Sequence, residues 1–132
     1  MKMIDGVCKQ RVLVVDDHPD TTEVLSQLFR LLGHETFAVQ RGHDALEVVR
    51  GFDPDLVVLD ITLPDISGYD VARALKQQCG RVRYLAAATG WGREKDRILA
   101  HEAGFNYHLT KPFDISQLRQ LLQLSASYHA AH

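Results

Sequence analysis

The feature that most constrains the fold is a short apolar run, residues 56–59, which leads directly into Asp60 and is followed by Pro64. The run is too short for a buried helix and lacks the alternation of a half-exposed strand. It therefore predicts a strand buried on both faces, as in a parallel sheet. Ligands of open α/β sheets bind at the edge where the strands end. Asp60 is thus predicted to lie at a ligand-binding edge.

Strand patterns alternate with helical patterns along the whole chain. The predicted strands cover residues 11–15, 35–39, 56–60, 82–89 and 107–110. Helical spacing of apolar residues follows each of them, and the last helix is predicted at 115–124. Right-handed connections between such strands require a parallel sheet that is covered on both faces. The expected fold class is α/β: a doubly wound, flavodoxin-like sheet of five parallel strands in the order 2-1-3-4-5.

The size and charge of the chain restrict its class. Its 132 residues are about the modal size of one domain, which we expect at 10–124, with short flexible ends at 1–9 and 125–132. The net charge of −2, without a basic cluster, argues against nucleic-acid and membrane partners. The first residues lack the pattern of a signal peptide, and Cys8 and Cys79 lack C-x-x-C spacing. We therefore expect a cytoplasmic protein.

Polar residues stand at the carboxyl ends of four of the five predicted strands: Asp16 and Asp17, Asp60, Thr89 and Lys111. The carboxyl ends of parallel strands meet at one edge, so these side chains are expected to converge. Each close pair of carboxylates would repel by about 4 kcal/mol at the effective dielectric of a protein surface. Lys111 and a hard cation such as Mg²⁺ would offset that repulsion. A nucleophilic carboxylate, a metal and a lysine also suit phosphoryl transfer.

Taken together, these motifs resemble the response regulator receiver domain of two-component signalling, over residues 10–124. The chain also resembles receivers associated with hybrid histidine kinases, with Gly-Phe before a His and Leu-x-Lys-Pro after it. The family resemblance rests on elements in a fixed order, which are the acid pair Asp16-Asp17, Asp60, Pro64, Gly68, Thr89 and the triplet Lys111-Pro112-Phe113. One aspartate after an apolar run would be weak evidence, whereas the ordered set is specific.

The resemblance implies a role for each acid at the site. Asp60 would accept a phosphoryl group from a phosphohistidine. Asp17 would bind Mg²⁺ directly and Asp16 mainly through water, while Asp60 and the backbone carbonyl of Thr62 would complete the protein ligands. The chain would then be a phosphoacceptor switch and not a turnover enzyme, apart from Mg²⁺-dependent self-phosphorylation and slow loss of the phosphoryl group.

The resemblance also implies roles for Thr89 and Lys111 and a set of partners. Thr89 would hydrogen-bond the phosphoryl group, Lys111 would pair with it, and the Lys111-Pro112 peptide bond would be cis. The donor would be a histidine kinase or a histidine phosphotransfer protein, and a protein effector or relay partner would read the state. The chain itself is expected to be a monomer or a weak dimer.

Two residues depart from or add to the family pattern. His108 stands where receivers usually carry a switching Tyr or Phe, three places before the lysine, so we expect a weaker or differently built switch. Trp91, two places after Thr89, is expected to flank the site and to restrict the approach of water. The other histidines before the last helix, including His18 and His34, show no ligand spacing and are predicted to be surface residues.

Two other functions remain open at this point. A small aspartyl-phosphate phosphatase of related topology would use Asp60 as its nucleophile, but such enzymes generally need an acid where this chain has Thr62. A flavin-binding domain would need a phosphate-cradling loop after the first strand, which here is acidic. A structural alternative also exists for Asp16 or Asp17, either of which alone would be read as a helix cap.

Overall fold

The computed structural model describes residues 3–4, 7–78, 84–90 and 94–131. A short antiparallel pair, β1 (Met3–Ile4) and β2 (Val7–Cys8), precedes the main sheet. The main sheet contains β3 (Arg11–Val15), β4 (Glu35–Val39), β5 (Leu56–Asp60), β6 (Tyr84–Thr89) and β7 (Tyr107–Thr110). The helices are α1 (Pro19–Leu31), α2 (Gly42–Phe52), α3 (Gly68–Gln78), α4 (Glu94–Ala103) and α5 (Ile115–Ala131).

The five main strands are all parallel and lie in the order β4-β3-β5-β6-β7. Counted along the chain, this is the order 2-1-3-4-5, so the predicted fold class is confirmed. Every residue of β5 is buried, as the apolar run requires. β4 lies at an edge, which agrees with its less apolar sequence.

Two apolar clusters cover the two faces of the sheet. Val12 and Val14 pack towards α1 and α5, whereas Leu13 and Val15 pack towards α2, α3 and α4. Alternate residues of a strand point to opposite faces, so each strand supplies both clusters. Burial of each such side chain stabilises the fold by roughly 1.5–3 kcal/mol. This packing holds the strands, and the residues at their carboxyl ends, in place.

A glycine and a serine mark two of the helix boundaries. Gly33 follows α1 with a φ of 94°, and its N–H donates to the Arg30 carbonyl at 2.9 Å. Only glycine adopts that conformation without strain, so Gly33 ends the helix. At the start of α3, Ser67 Oγ accepts a hydrogen bond from the Tyr69 N–H at 3.2 Å.

The last helix is longer than the sequence predicts. The expected end near Leu124 is wrong, because α5 continues to Ala131. Ser125 is fully buried and donates to Gln10 Oε1 at 2.7 Å, and the Tyr128 ring packs edge-on against Tyr84 at 5.3 Å between ring centroids. Tertiary contacts therefore hold a segment that has little helical periodicity of its own.

Gln10 and His34 form the rest of this buried contact. Gln10 Nε2 donates to the Leu122 carbonyl at 2.9 Å, and the Gln10 N–H donates to His34 Nδ1 at 2.9 Å. The prediction of a surface position for His34 is wrong, because the side chain is buried here.

In the described part of the chain, no helix is long and apolar enough to cross a membrane.

Candidate functional site

Asp60 and Asp16 stand at the carboxyl edge of the sheet and are both 2% exposed. Asp60 is the last residue of β5, and Asp16 directly follows β3, its neighbour in the sheet. The parallel register therefore brings together two carboxylates that are 44 positions apart in the chain. The convergence of the acids that the sequence predicts is present in the structure.

Lys111 follows β7 and bridges the two buried acids. Its Nζ lies 2.8 Å from Asp16 Oδ2 and 3.4 Å from Asp60 Oδ2. Burial by itself lowers the pKa of the Lys111 ammonium, but the hydrogen bond to Asp16 and the charge of Asp60 outweigh it, so the pKa is raised. Lys111 thus remains a cation at the centre of the site.

The Asp60 carboxylate is held from its other side by Thr62. Asp60 Oδ1 accepts hydrogen bonds from the Thr62 N–H at 3.0 Å and from Thr62 Oγ1 at 3.1 Å. The pKa of Asp60 is nevertheless raised, because burial outweighs the lowering by the Thr62 N–H and by Lys111. The carboxylate is therefore oriented by donors on two sides while its charge remains poorly solvated.

Asp17 and His18 complete the acidic cluster. The His18 N–H donates to Asp16 Oδ1 at 3.0 Å, and His18 Nδ1 lies 3.2 Å from Asp16 Oδ1 and 3.1 Å from Asp17 Oδ1. Among the described residues, Asp17 Oδ1 is buried and makes no hydrogen bond. One potential ligand atom from each of Asp16, Asp17, His18 and Asp60 lies within 4.8 Å of the others. This set can surround a single cation.

Helix capping does not account for the acid pair. The N-cap of α1 is His18, which makes no side-chain capping hydrogen bond, and Pro19 opens the helix. His18 is the site residue that the sequence analysis missed. Its side chain is 69% exposed, so the predicted surface position is correct. Its position directly after the acid pair could have indicated that it belongs to the site.

The loop between β5 and α3 is fixed closely against the strand end. The Gly68 N–H donates to the Ile61 carbonyl at 2.9 Å, and a Cβ atom on Gly68 would lie only 2.6 Å from the Asp60 carbonyl oxygen. Further along, the Asp65 carboxylate accepts hydrogen bonds from the N–H groups of Gly42 and His43 at 2.9 and 3.0 Å. Those donors hold the pKa of Asp65 well below its usual range.

Thr89 is the last residue of β6, and His108 lies within β7. Thr89 is buried, and its carbonyl accepts a hydrogen bond from the Lys111 N–H at 2.7 Å. His108 is half-buried, and neither ring nitrogen has a hydrogen-bond partner among the described residues. Burial and, next, the charge of Arg97 lower the pKa of His108. The lowered pKa favours the neutral form of the imidazole at the predicted switch position.

Two predicted site residues remain. The Lys111-Pro112 peptide bond is cis, as the resemblance implies. Trp91 lies outside the described residues, so the prediction that it flanks the site remains a prediction.

Residues 12–123 match the family model of the response regulator receiver domain, and the chain belongs to that family. It is 39% identical over 111 residues to the DNA-binding response regulator MtrA of Mycolicibacterium smegmatis, covering 83% of this chain and 47% of the relative. It is 38% identical over 108 residues to the transcriptional regulatory protein TcrA of Mycobacterium tuberculosis, covering 82% and 42%. The chain thus spans less than half the length of these relatives.

Two solved structures have the same fold. The receiver domain of the sensor histidine kinase PA1611 from Pseudomonas aeruginosa is similar, with a TM-score of 0.81, 29% identity and coverage of 91% of this chain and 99% of that one. That structure has a magnesium ion coordinated in its active-site cleft. The chemotaxis protein CheY4 of Vibrio cholerae shares the fold, with a TM-score of 0.84 at 22% identity and coverage of 89% and 99%.

These comparisons confirm the predicted family and its class of function. The chain is a receiver domain, the phosphoacceptor module of two-component signalling. The expected absence of a nucleic-acid partner receives no support, since MtrA is named as a DNA-binding regulator.

Proposed function

We propose that Asp60 takes a phosphoryl group from the phosphohistidine of a histidine kinase or histidine phosphotransfer protein, in a Mg²⁺-dependent reaction. The observation that carries the proposal is the buried Asp60 carboxylate, which Thr62 and Lys111 orient from two sides. A carboxylate oxygen of Asp60 bonds to phosphorus while the bond from phosphorus to the donor imidazole nitrogen breaks. The electron pair leaves with the imidazole, and an acyl phosphate remains on Asp60.

The residues present fit a magnesium ion. Hard cations prefer oxygen ligands, and the site offers carboxylate oxygens of Asp16, Asp17 and Asp60, among which Asp17 Oδ1 is buried and lacks a hydrogen bond from the described residues. Asp17 would bind the ion directly, Asp16 mainly through water, and Asp60 and the Thr62 carbonyl would complete the set. When bound, the cation supplies positive charge to phosphoryl oxygens that the acids would otherwise repel.

Lys111 and Thr89 receive the phosphoryl group in this proposal. The Lys111 ammonium already lies between two acids and remains charged, so it can move its hydrogen bond to a phosphoryl oxygen without being desolvated further. The buried Thr89 at the end of β6 would donate its hydroxyl hydrogen. The product is read by a protein effector or relay partner, so the chain acts as a switch and not as a turnover enzyme.

The phosphatase alternative is not favoured. The residue two places after Asp60 is Thr62, whose hydroxyl already donates to Asp60 Oδ1 at 3.1 Å. A threonine hydroxyl at this position is not the general acid that such an enzyme would need to protonate a leaving group.

Incubation with acetyl phosphate and Mg²⁺, followed by intact-mass measurement, tests the proposed function. We expect one phosphoryl adduct that requires the cation and that hydroxylamine removes, as expected for an acyl phosphate. A chelator is the control for the metal. An adduct that survives hydroxylamine, or that forms equally well in excess chelator, would contradict the proposal.

Replacement of the direct metal ligand, Asp17→Ala, should abolish Mg²⁺-dependent adduct formation without unfolding the chain. In metal-free buffer its thermal stability should be equal to or higher than that of the wild type, because one carboxylate is removed from a crowded acidic cluster. Asp20→Ala, an exposed acid in the first turn of α1, is the matched control and should keep the adduct. A large loss of stability in Asp17→Ala would instead indicate a structural role.

Because residue 108 is a histidine, we expect phosphorylation to change the β6–β7 side of the sheet only slightly. A neutral imidazole is smaller than a tyrosine ring and here finds no polar partner among the described residues, so it has little to gain from turning inwards. Amide hydrogen exchange with and without beryllofluoride, a phosphoryl mimic, should show little change in α4 and α5. His108→Tyr is the matched variant and should enlarge the change. Strong changes centred on His108 and α4 in the wild type would refute this expectation.

A further inference from the structure

His18 brings an imidazole nitrogen into an otherwise all-oxygen cluster. Its Nδ1 lies 3.1 Å from Asp17 Oδ1 and 3.2 Å from Asp16 Oδ1. Ligands at adjacent corners of an octahedral ion with bonds of about 2.1 Å are separated by about 3.0 Å. The distance from the imidazole nitrogen to each of the two carboxylate oxygens is therefore close to the separation of neighbouring ligands on one cation.

The spacing matters because divalent metals differ in their affinity for imidazole nitrogen. Magnesium prefers oxygen ligands, whereas manganese, cobalt and zinc bind imidazole nitrogen more readily, in the order of their general affinities. Carboxylate oxygens suit both Mg²⁺ and Mn²⁺. A histidine that joins two carboxylates shifts the balance of a site towards the transition metals.

We infer that His18 is a metal ligand in this receiver domain and makes its cation site selective for a divalent transition metal over Mg²⁺. The inference rests on the proposed function, because it concerns the cation that the same acids hold. Asp17 supplies the directly bound carboxylate, Asp16 supplies a carboxylate that holds the ion mainly through water, and His18 Nδ1 supplies the nitrogen. His18 is a selectivity-determining residue and takes no part in the phosphoryl transfer itself.

A simpler role for His18 makes a different prediction. If its imidazole only donates a hydrogen bond to the acid pair, it competes with every cation for the same oxygens. Removing the ring would then tighten the binding of all divalent cations by a similar factor. If His18 is a ligand, its removal weakens the binding of transition metals and leaves Mg²⁺ nearly unaffected.

Calorimetric titration of the full chain with Mg²⁺, Mn²⁺ and Co²⁺ separates these roles. We expect His18→Ala to lower Co²⁺ affinity by about tenfold or more, the scale on which loss of a partner weakens metal sites, with a smaller loss for Mn²⁺. Mg²⁺ affinity should change by less than about twofold, since magnesium gains little from nitrogen ligands. His101→Ala removes an exposed histidine of α4 and is the control, with no change for any ion.

Proton NMR of the Co²⁺-loaded chain provides a readout that does not depend on affinity. A hyperfine-shifted imidazole signal should appear in the wild type and in His101→Ala, and should be absent from His18→Ala. Equal fold-changes for Mg²⁺ and Co²⁺ in His18→Ala, or a shifted signal that persists there, would overturn the assignment while leaving Asp17-dependent Mg²⁺ binding intact. Wild-type chain that binds no divalent cation would overturn both this inference and the proposed function.

Discussion

Asp60→Asn is expected to abolish the phosphoryl adduct entirely and, in metal-free buffer at neutral pH, to raise the stability of the fold. The amide is a poor nucleophile and cannot form the acyl phosphate. It also carries no charge, so the cost of burying a carboxylate at a 2% exposed position disappears. Intact mass measures the adduct, and urea denaturation measures the free energy of unfolding.

The pH dependence of that stabilisation follows from the raised pKa of Asp60. A raised pKa means that the folded chain holds the proton more tightly than the unfolded chain, in which the value is near 3.8. At a pH below that value, the fold keeps the stability that comes from this tightly held proton. That stability is lost as the pH rises through the pKa of Asp60 in the folded chain. The advantage of Asp60→Asn should appear above this window and vanish below it. An Asn variant that is less stable at neutral pH, or that keeps the adduct, would contradict the assignment.

Gly68→Ala should destabilise the fold by about 3 kcal/mol, at the upper end of the usual cost of overpacking. Its Cβ would lie 2.6 Å from both the Asp60 carbonyl oxygen and Ile61 Cα. Backbone atoms at the end of β5 cannot move aside as a flexible side chain can. The strain falls directly on the residue that accepts the phosphoryl group, so we also expect slower phosphorylation from acetyl phosphate.

Gly51→Ala provides the matched control for Gly68→Ala. Gly51 lies in α2, and a Cβ added there meets nothing within 4 Å. Alanine should therefore stabilise the chain by roughly 0.5–1 kcal/mol through its better helix propensity. Urea denaturation of both variants tests the difference. If the two substitutions had similar effects, the close approach of α3 to β5 would not restrict which side chain fits at position 68.

The parts that could be predicted from sequence are those governed by local pattern. The apolar run before Asp60 indicates a strand buried on both faces, and every residue of β5 is buried. Parallel connections then place Asp16, Asp60 and Lys111 at one edge, since the carboxyl ends of parallel strands coincide. The chemistry of the site follows from the fold class and from a few residues at strand ends.

The parts that could not be predicted depend on contacts distant in sequence or on side-chain direction. Residues 125–131 are small or polar and lack a clear apolar stripe, yet they are helical because Ser125 and Tyr128 pack against Gln10 and Tyr84. No local pattern indicates a partner more than 40 positions away. For His18, the sequence places the residue beside the acids but does not specify that its ring turns towards them.

The buried hydrogen bond between Ser125 and Gln10 has a consequence for how the chain folds, because it joins residues 115 positions apart. Closing an unstructured loop of that length costs about 4 kcal/mol beyond the constant term, whereas one such bond contributes only about 1 kcal/mol. The bond cannot draw the two segments together unaided. The bond forms only after strand pairing has shortened the effective loop. The last two turns of α5 therefore dock late, when the sheet beneath them is already assembled.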